Sequence, residues 1–401
     1  METRFLHMAD IHLGFQQYGS EARYNDFAKA WFWCCDYAAQ EQVDFVLIAG
    51  DLFHSQQPGP MTVMQAVHGL TTLYEASIPV FAVEGNHDRA RLSDGASWLE
   101  FLDEQKLLKL LHIDVVGDSV DMWCEIIGDT RIFGLQYFGS SLPKVLAGIA
   151  ANPPIDDYRN ILMMHGGLEG EVPFTSNFSM DDLEPLKEHF DYLALGHIHK
   201  FYERDNWVYN PGSPEVCDIK ESEHGRYIMD VTVDTAGTVD AIDVTVPSRE
   251  FVRVGIDVSD EASAQWGDSP ASLLERCDYV CNGLQLNREK PVLEITLTGT
   301  LPFPRSELDL EAIQERANST GDWLLVRVVN KTSPIEAVAE VDSDASRPEI
   351  EFQVVTDIVD RDKRWNNHWG DITKLVISTK DMSLNGHDPA EIAHYIEEVV
   401  A

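Results

Sequence analysis

Basic residues are what this 401-residue chain has least of: 30 Lys and Arg stand against 68 Asp and Glu, a formal net charge of −38. The acid is spread along the chain rather than gathered in one tail, and Arg outnumbers Lys. That is the pattern expected of a protein working in multimolar salt, where the Debye length is roughly 3 Å and self-repulsion is screened. At ordinary salt such a charge argues against a polyanionic partner. In concentrated salt it constrains mechanism instead, because affinity built on phosphate contacts falls steeply there and must be replaced by metals and local groups. Cysteine is also sparse. Cys34 and Cys35 are adjacent, Cys124 and Cys217 stand alone, and Cys277 and Cys281 are four apart, with no C-x-x-C anywhere. Neither a disulfide framework nor a thiolate metal site is expected, and reduced thiols in a cytoplasmic protein are. No apolar stretch approaches the roughly 18 residues of a membrane span. The first apolar run begins almost at once, so no signal peptide is expected ahead of it. Internal repeats and low-complexity segments are absent.

What the chain does have is polar side chains delivered at the ends of apolar runs. Residues 43–48, closed by Gly50, read as a fully buried strand with Asp51 at its carboxyl end and His54 three residues on. The same device occurs five times: Asp10 and His12 follow 4–8, Asn86, His87 and Asp88 follow 78–83, His165 follows 160–164, and His197 and His199 follow 190–195. That edge of an open α/β sheet is where ligands bind. Gly50, Gly85, Gly166 and Gly196 allow the tight turns beside these groups.

Asp10 and His12 are two apart, so in extended chain they reach to one side and can grip one ion. Asp51 has two carboxylate oxygens with which to bridge two ions, Asn86 offers a carbonyl oxygen, and His165, His197 and His199 offer imidazoles. A nitrogen and oxygen set without Cys points to a hydrolytic metal centre rather than a structural zinc, and suits Mn²⁺ or Fe²⁺, with Zn²⁺ possible. Two ions about 3.5–4 Å apart can activate a shared water and steady both oxygens of a phosphoryl transfer. His87 has no ligand role in this scheme and is placed to protonate the leaving alkoxide. Any one of these histidines alone would more often be a core or surface residue; five motifs in this order, each at a strand end, point to a dinuclear centre.

Residues 1–247 alternate short β-rich runs with helical segments, the pattern of an α/β layer fold. From 248 to 340 the pattern is a small β-α-β-α-β unit without a metal-binding cluster, read as a second domain that shapes or covers the site. Residues 341–401 begin as an acidic linker and continue with a strand-like run at 352–359 and a cluster of Arg, Lys, Asn, His and Trp at 361–369 that can touch DNA. The chain closes on an amphipathic stretch with Ile392, Tyr395, Ile396 and Val399 on one helical face, suited to packing on its own domains or to docking a partner.

Asp10-Ile-His12, Gly50-Asp-Leu-Phe-His54, Gly85-Asn-His-Asp88, His165 and Gly196-His-Ile-His199 resemble the five motifs of the calcineurin-like metallophosphoesterases. Their surroundings, Ala9-Asp-Ile-His-Leu-Gly14, Ile48-Ala-Gly-Asp-Leu-Phe-His54 and Val83-Glu-Gly-Asn-His-Asp-Arg89, look like the meiotic-recombination-eleven / SbcD double-strand-break repair nucleases of archaeal, salt-adapted type. The resemblance is tight over about 1–225, looser in the second domain and weak after 342. It implies a four-layer β-sandwich flanked by helices, with 248–340 as a capping domain that seats DNA, and two Mn²⁺ per subunit. Asp10, His12, Asp51 and His199 would hold one ion; Asp51, Asn86, His165 and His197 would hold the other. His87 would be the catalytic histidine, and His54 would assist near the phosphate. Arg89, Arg91 and Lys200, with Arg204, are the basic groups expected to meet substrate. The implied activities are 3′→5′ exonuclease action on duplex DNA and endonuclease action on single strands or hairpins. The implied setting is the cytoplasm, nucleoid-associated, as a homodimer joined to a coiled-coil ABC ATPase of SbcC type through the C-terminal segment. Two other readings use the same residues: a phosphoesterase of small esters or phosphoproteins, and a non-catalytic scaffold for the repair ATPase.

Overall fold

A computed structural model of the chain describes residues 2–91, 93–116, 119–154, 158–172, 177–259, 268–284, 288, 290–334, 346–360 and 369–400. They form two compact units, Met1–Arg249 and Glu250–Ala401.

The first unit begins with β1 (Thr3–Met8), α1 (Glu21–Glu41), β2 (Phe45–Ile48), α2 (Pro60–Glu75), β3 (Val80–Ala82), α3 (Trp98–Glu104) and β4 (Lys109–Leu110). A hairpin of β5 (Ile113–Val116) and β6 (Ser119–Met122) follows, then β7 (Cys124–Ile127), β8 (Thr130–Leu135), α4 (Leu142–Ala151) and β9 (Arg159–His165). It ends with α5 (Met180–Leu183), β10 (Tyr192–Gly196), β11 (Tyr202–Arg204), β12 (Val208–Asn210), β13 (Tyr227–Val233) and β14 (Val239–Thr245). The strands make two six-stranded mixed sheets, ordered β14-β13-β1-β2-β3-β4 and β11-β12-β10-β9-β8-β7.

Period-2 alternation sends successive side chains to opposite faces of each strand. Phe5, Phe45 and Leu47 of one sheet meet Ile161, Met163, Tyr192 and Ala194 of the other in a common layer. Phe5 and Phe45 stack with centroids 4.9 Å apart, and Tyr192 meets Phe5 edge-on at 5.2 Å. The intervening residues Leu6, Met8, Val46 and Ile48 face the other way, onto Trp31 and Cys34 of α1 and Leu70 and Leu73 of α2. Leu162, Met164, Leu193 and Leu195 likewise pack on Val145, Leu146 and Ile149 of α4. The result is helix, sheet, sheet, helix, the four-layer α/β sandwich expected from the sequence. Each fully buried Leu, Ile or Phe contributes about 1.5–3 kcal/mol relative to exposure.

His7 shares the inter-sheet layer and is fully buried, with Nδ1 2.9 Å from the Tyr192 hydroxyl and Nε2 3.0 Å from the Leu195 carbonyl. β1, β2 and β3 pair in parallel, as do β8, β9 and β10. Their carboxyl ends therefore leave each sheet on one side, and the loops that follow carry the candidate ligands.

The second unit opens with β15 (Phe251–Asp257), α6 (Pro270–Asn282), β16 (Val292–Thr298), α7 (Leu310–Asn318) and β17 (Leu325–Asn330), whose strands form a parallel sheet in that order. Leu293, Ile295, Leu297 and Val326 pack there on Leu273 and Cys277 of α6 and Ile313 and Ala317 of α7. Three helices follow: α8 (Arg347–Asp360), α9 (Trp369–Leu384), which packs on it, and α10 (Pro389–Val400), which packs on α9. The strand expected at 352–359 is thus helix. Its β-branched residues suggested extended chain, but Ser346 caps the helix start by giving its N–H and Oγ–H to Glu349 at 2.8 and 2.7 Å, with Pro348 in the first turn where its missing N–H costs nothing. Residues 361–368 of the expected DNA-contacting cluster lie outside the described residues. Among the described residues no helix is long and apolar enough to cross a membrane.

Candidate metal centre

All five loops meet at one edge. Asp51 Oδ2 lies 3.8 Å from His12 Nε2 and 3.3 Å from His165 Nε2, so one carboxylate oxygen stands between two groups of ligands. On the first side, His12 Nε2 approaches His199 Nε2 to 3.1 Å, and His199 Nε2 is 3.8 Å from Asp10 Oδ1. On the second, Asn86 Oδ1 sits 3.2 Å from His165 Nε2 and 3.0 Å from His197 Nδ1.

Backbone conformation makes this convergence possible. Asp10, His12, Asp51 and His197 hold φ at 53°, 51°, 54° and 97°, in the left-handed region that costs a non-glycine residue about 1–3 kcal/mol. Two glycines are required by close approach. A Cβ on Gly50 would lie 2.3 Å from His165 Nδ1, and one on Gly85 would lie 2.0 Å from Asp51 Oδ1.

Outer contacts fix which imidazole nitrogen faces inward. His165 donates its Nδ1–H to the Ala49 carbonyl (2.8 Å), and His199 donates its Nδ1–H to Glu221 Oε1 (2.9 Å), leaving each Nε2 for the centre. Glu221 is in turn gripped by buried Arg226, which donates Nη1–H to Oε2 (3.4 Å) and Nη2–H to the Glu221 carbonyl (2.9 Å). Asp88 ties two loops together by accepting N–H bonds from Leu52, Phe53 and Gly85 at 3.0–3.2 Å. His87 donates its backbone N–H to Asp51 Oδ1 (2.8 Å) and its Nδ1–H to the His54 carbonyl (2.7 Å), which commits Nδ1 and leaves Nε2 available. His54 stacks on Phe15 with centroids 3.9 Å apart.

Burial holds His12 well below the usual imidazole range, and burial with the neighbouring His165 holds His197 at about 4, the neutral state a ligand needs. Burial opposes charge on Asp51, but the neighbouring His165 outweighs it and holds the carboxyl low; against their own burial, His165 is raised to about 9 by Asp51 and His199 is raised by Cys217 and Glu221, each gaining a proton that a bound cation would displace. Asp10 is pushed up by burial, and its Oδ1 is buried without a hydrogen-bond partner. Two carboxylates, an amide oxygen and converging imidazole nitrogens, with an orphaned carboxylate oxygen among them, fit a divalent cation that takes the place of the imidazole protons.

The sequence-selected Asp10, His12, Asp51, His54, Asn86, His87, His165, His197 and His199 are thus brought together. Arg89 and Arg91 lie exposed on the surface after β3. Lys200 Nζ is 3.7 Å from Glu171 Oε2, and Arg204 pairs with the same buried carboxylate. Glu221, Arg226 and the fastening role of Asp88 escaped the sequence reading. Asp88 sits inside a motif, which was a usable signal; Glu221 is 22 residues from His199 and carries none.

Residues 3–201 match the family model described as calcineurin-like phosphoesterase. This segment is similar to a calcineurin-like phosphoesterase domain. The chain is also similar to proteins named DNA double-strand break repair protein Mre11. The one from Archaeoglobus fulgidus is 35% identical over 55% of this chain and 52% of its own length. That from Methanosarcina mazei is 31% identical over 65% and 41%, and that from Halobacterium salinarum 30% over 64% and 63%. The chain spans about half the length of these relatives. The matched segment contains every motif residue of the centre, and Glu221 and Arg226 lie just beyond it.

Proposed function

We propose that the chain is a Mn²⁺-dependent nuclease of DNA double-strand-break repair, hydrolysing phosphodiesters as a 3′→5′ exonuclease on duplex DNA and an endonuclease on single strands. The observation that carries this reading is the position of Asp51 Oδ2 between the His12 and His165 sides, supported by the likeness to proteins named for break repair. Asp10, His12, Asp51 and His199 would hold one ion, and Asp51, Asn86, His165 and His197 the other. A bound pair there would supply Lewis-acid polarisation of the phosphate and acidification of the attacking water.

The remaining work falls to the chain's own groups. His87, steadied at Nδ1 by the His54 carbonyl, gives the Nε2 proton to the leaving 3′-oxygen. His54, braced on Phe15, orients the phosphate. Arg89 and Arg91 reach the DNA backbone, and Lys200 does so on release from Glu171. Residues 248–340 seat the duplex, and 341–401 dock a coiled-coil ABC-type ATPase, with Ile392, Tyr395 and Ile396 of α10 at the contact. The working form is a homodimer in the cytoplasm, on the nucleoid.

The test offers purified protein, with MnCl₂ in concentrated KCl, a 3′-end-labelled duplex and a single-stranded circle beside p-nitrophenyl phosphate esters. Release of mononucleotides from the 3′ end and nicking of the circle are expected. Hydrolysis of the small esters with both DNAs intact would refute the reading in favour of a small-ester phosphoesterase; no hydrolysis of any would leave a scaffold.

A further inference from the structure

The loop after β12 runs back against the metal-binding edge. Gly212 holds φ at +78°, and a Cβ there would lie 2.9 Å from the His199 carbonyl oxygen, so only glycine lets the two segments come this close. Asn210 clamps them by donating Nδ2–H to the carbonyls of Ile198 (2.7 Å) and Lys200 (2.9 Å). Buried Glu215 then locks the turn, accepting from Arg23 Nη2 at 3.0 Å and from the Val216 N–H at 2.8 Å.

This delivers Cys217 to His199. The Cys217 N–H donates to Glu221 Oε2 at 2.9 Å, on the carboxylate whose Oε1 holds His199 Nδ1. Ligand atoms of His12, His199 and Cys217 all lie within 4.8 Å of one another. Independently, Asp10 Oδ1, on a fully buried carboxylate, has no hydrogen-bond partner and stands 3.8 Å from His199 Nε2.

We propose that Cys217 makes this end of the centre a trap for a thiophilic divalent cation, Zn²⁺ or Cd²⁺, held by His12, His199 and the Cys217 sulfur in place of the Mn²⁺ that supports turnover. Nitrogen and oxygen sites already favour Zn²⁺ over Mn²⁺, and a thiolate widens that gap because sulfur is a soft donor. As the metal–sulfur bond forms, the thiol proton passes to solvent and the weak Sγ–H contact to the Glu215 carbonyl (3.7 Å) is given up. One dipositive ion leaves as another enters, so no oxidant or reductant is needed. The inference rests on His12 and His199 being ligands of one ion.

The experiment uses the full chain loaded with Mn²⁺ and titrated with Cd²⁺, reading the ultraviolet charge-transfer band of a cadmium–thiolate bond and the Mn²⁺ released. One thiolate-bound Cd²⁺ per chain is expected, with loss of one Mn²⁺. In C217S and C217A the band should vanish and Cd²⁺ affinity fall at least about 10-fold, the low end of what losing even an outer-sphere partner does. Cd²⁺ bound without the band, a band that persists in both variants, or a band without Mn²⁺ release overturns the inference. Band and release are read on the unmutated protein, so a variant that fails to fold leaves the test standing. Mn²⁺ uptake without thiolate-bound Cd²⁺ sinks the inference alone; no uptake of either ion sinks the ligand assignment with it.

Discussion

His7 makes acid lability calculable. It is fully buried between the sheets, and burial, partly offset by its bond to the Leu195 carbonyl, lowers its pKa to about 3. In the unfolded chain an imidazole titrates near 6.5. Between these values the unfolded state binds a proton that the folded state refuses, so stability must fall as pH falls. The contribution of neutral His7 is complete above about 6.5 and is lost at about 1.4 kcal/mol per pH unit toward 3, or roughly 3 kcal/mol by pH 4.5. Gln at this position can accept from Tyr192 or donate to Leu195 without titrating. Denaturant titrations of wild type and His7→Gln, in concentrated KCl with chelator so that the ligand histidines contribute equally, isolate the effect. The wild-type advantage at pH 7 should shrink by that slope below about pH 6. A difference that stays flat from pH 7 to 4.5 would show that His7 protonates as readily folded as unfolded, and the buried-neutral assignment would be wrong.

Other outcomes follow from the centre. His87→Ala should retain both ions, because Asp51 accepts the residue's backbone N–H rather than its side chain, while DNA turnover falls about 10²–10⁴-fold; full activity would remove the acid role. Asp51→Ala should release metal from both positions, and one ion fully retained on metal analysis would contradict bridging. Gly85→Ala should cost about 1–3 kcal/mol in stability and weaken metal uptake, because the new methyl overlaps Asp51 Oδ1; unchanged Mn²⁺ affinity would refute the close approach. Removing residues 341–401 should spare Mn²⁺-dependent cleavage and abolish capture of the ATPase, and a pull-down that still succeeds would move the docking surface elsewhere.

The layer fold and the gathering of the ligands were legible because two local rules agree. Runs such as Phe45–Ile48 are apolar on both faces, as doubly covered strands must be, and each is followed by a side chain that the interior would not tolerate. Parallel pairing of neighbouring strands then fixes which edge those ends share. What stayed hidden depends on the path of the chain through space. Glu221 reaches His199 only because β11, β12 and the clamped Asn210 turn fold back on β10. The left-handed φ of Asp10, His12, Asp51 and His197 leaves no periodic mark, since Asp and His are ordinary loop residues until the fold forces them. The charges of Lys200 and Arg204 were visible, but not the buried Glu171 that both meet. At 352–359 the signal was present and outweighed: Ser346-Arg-Pro-Glu is a helix start, and Phe352, Val355 and Val359 recur at helical spacing.

The two halves of the centre hang from different parts of the chain. His165 is anchored just past the end of β2 through Ala49, whereas His199 is anchored to the later loop through Glu221 and Arg226, and Asp51 spans both. Slackening that loop would evict one tenant and leave the other seated. Such a protein would idle half-filled, its shared oxygen already engaged, and turnover at the onset would then rise in proportion to the concentration of the activating cation, where two empty positions filling together would give its square.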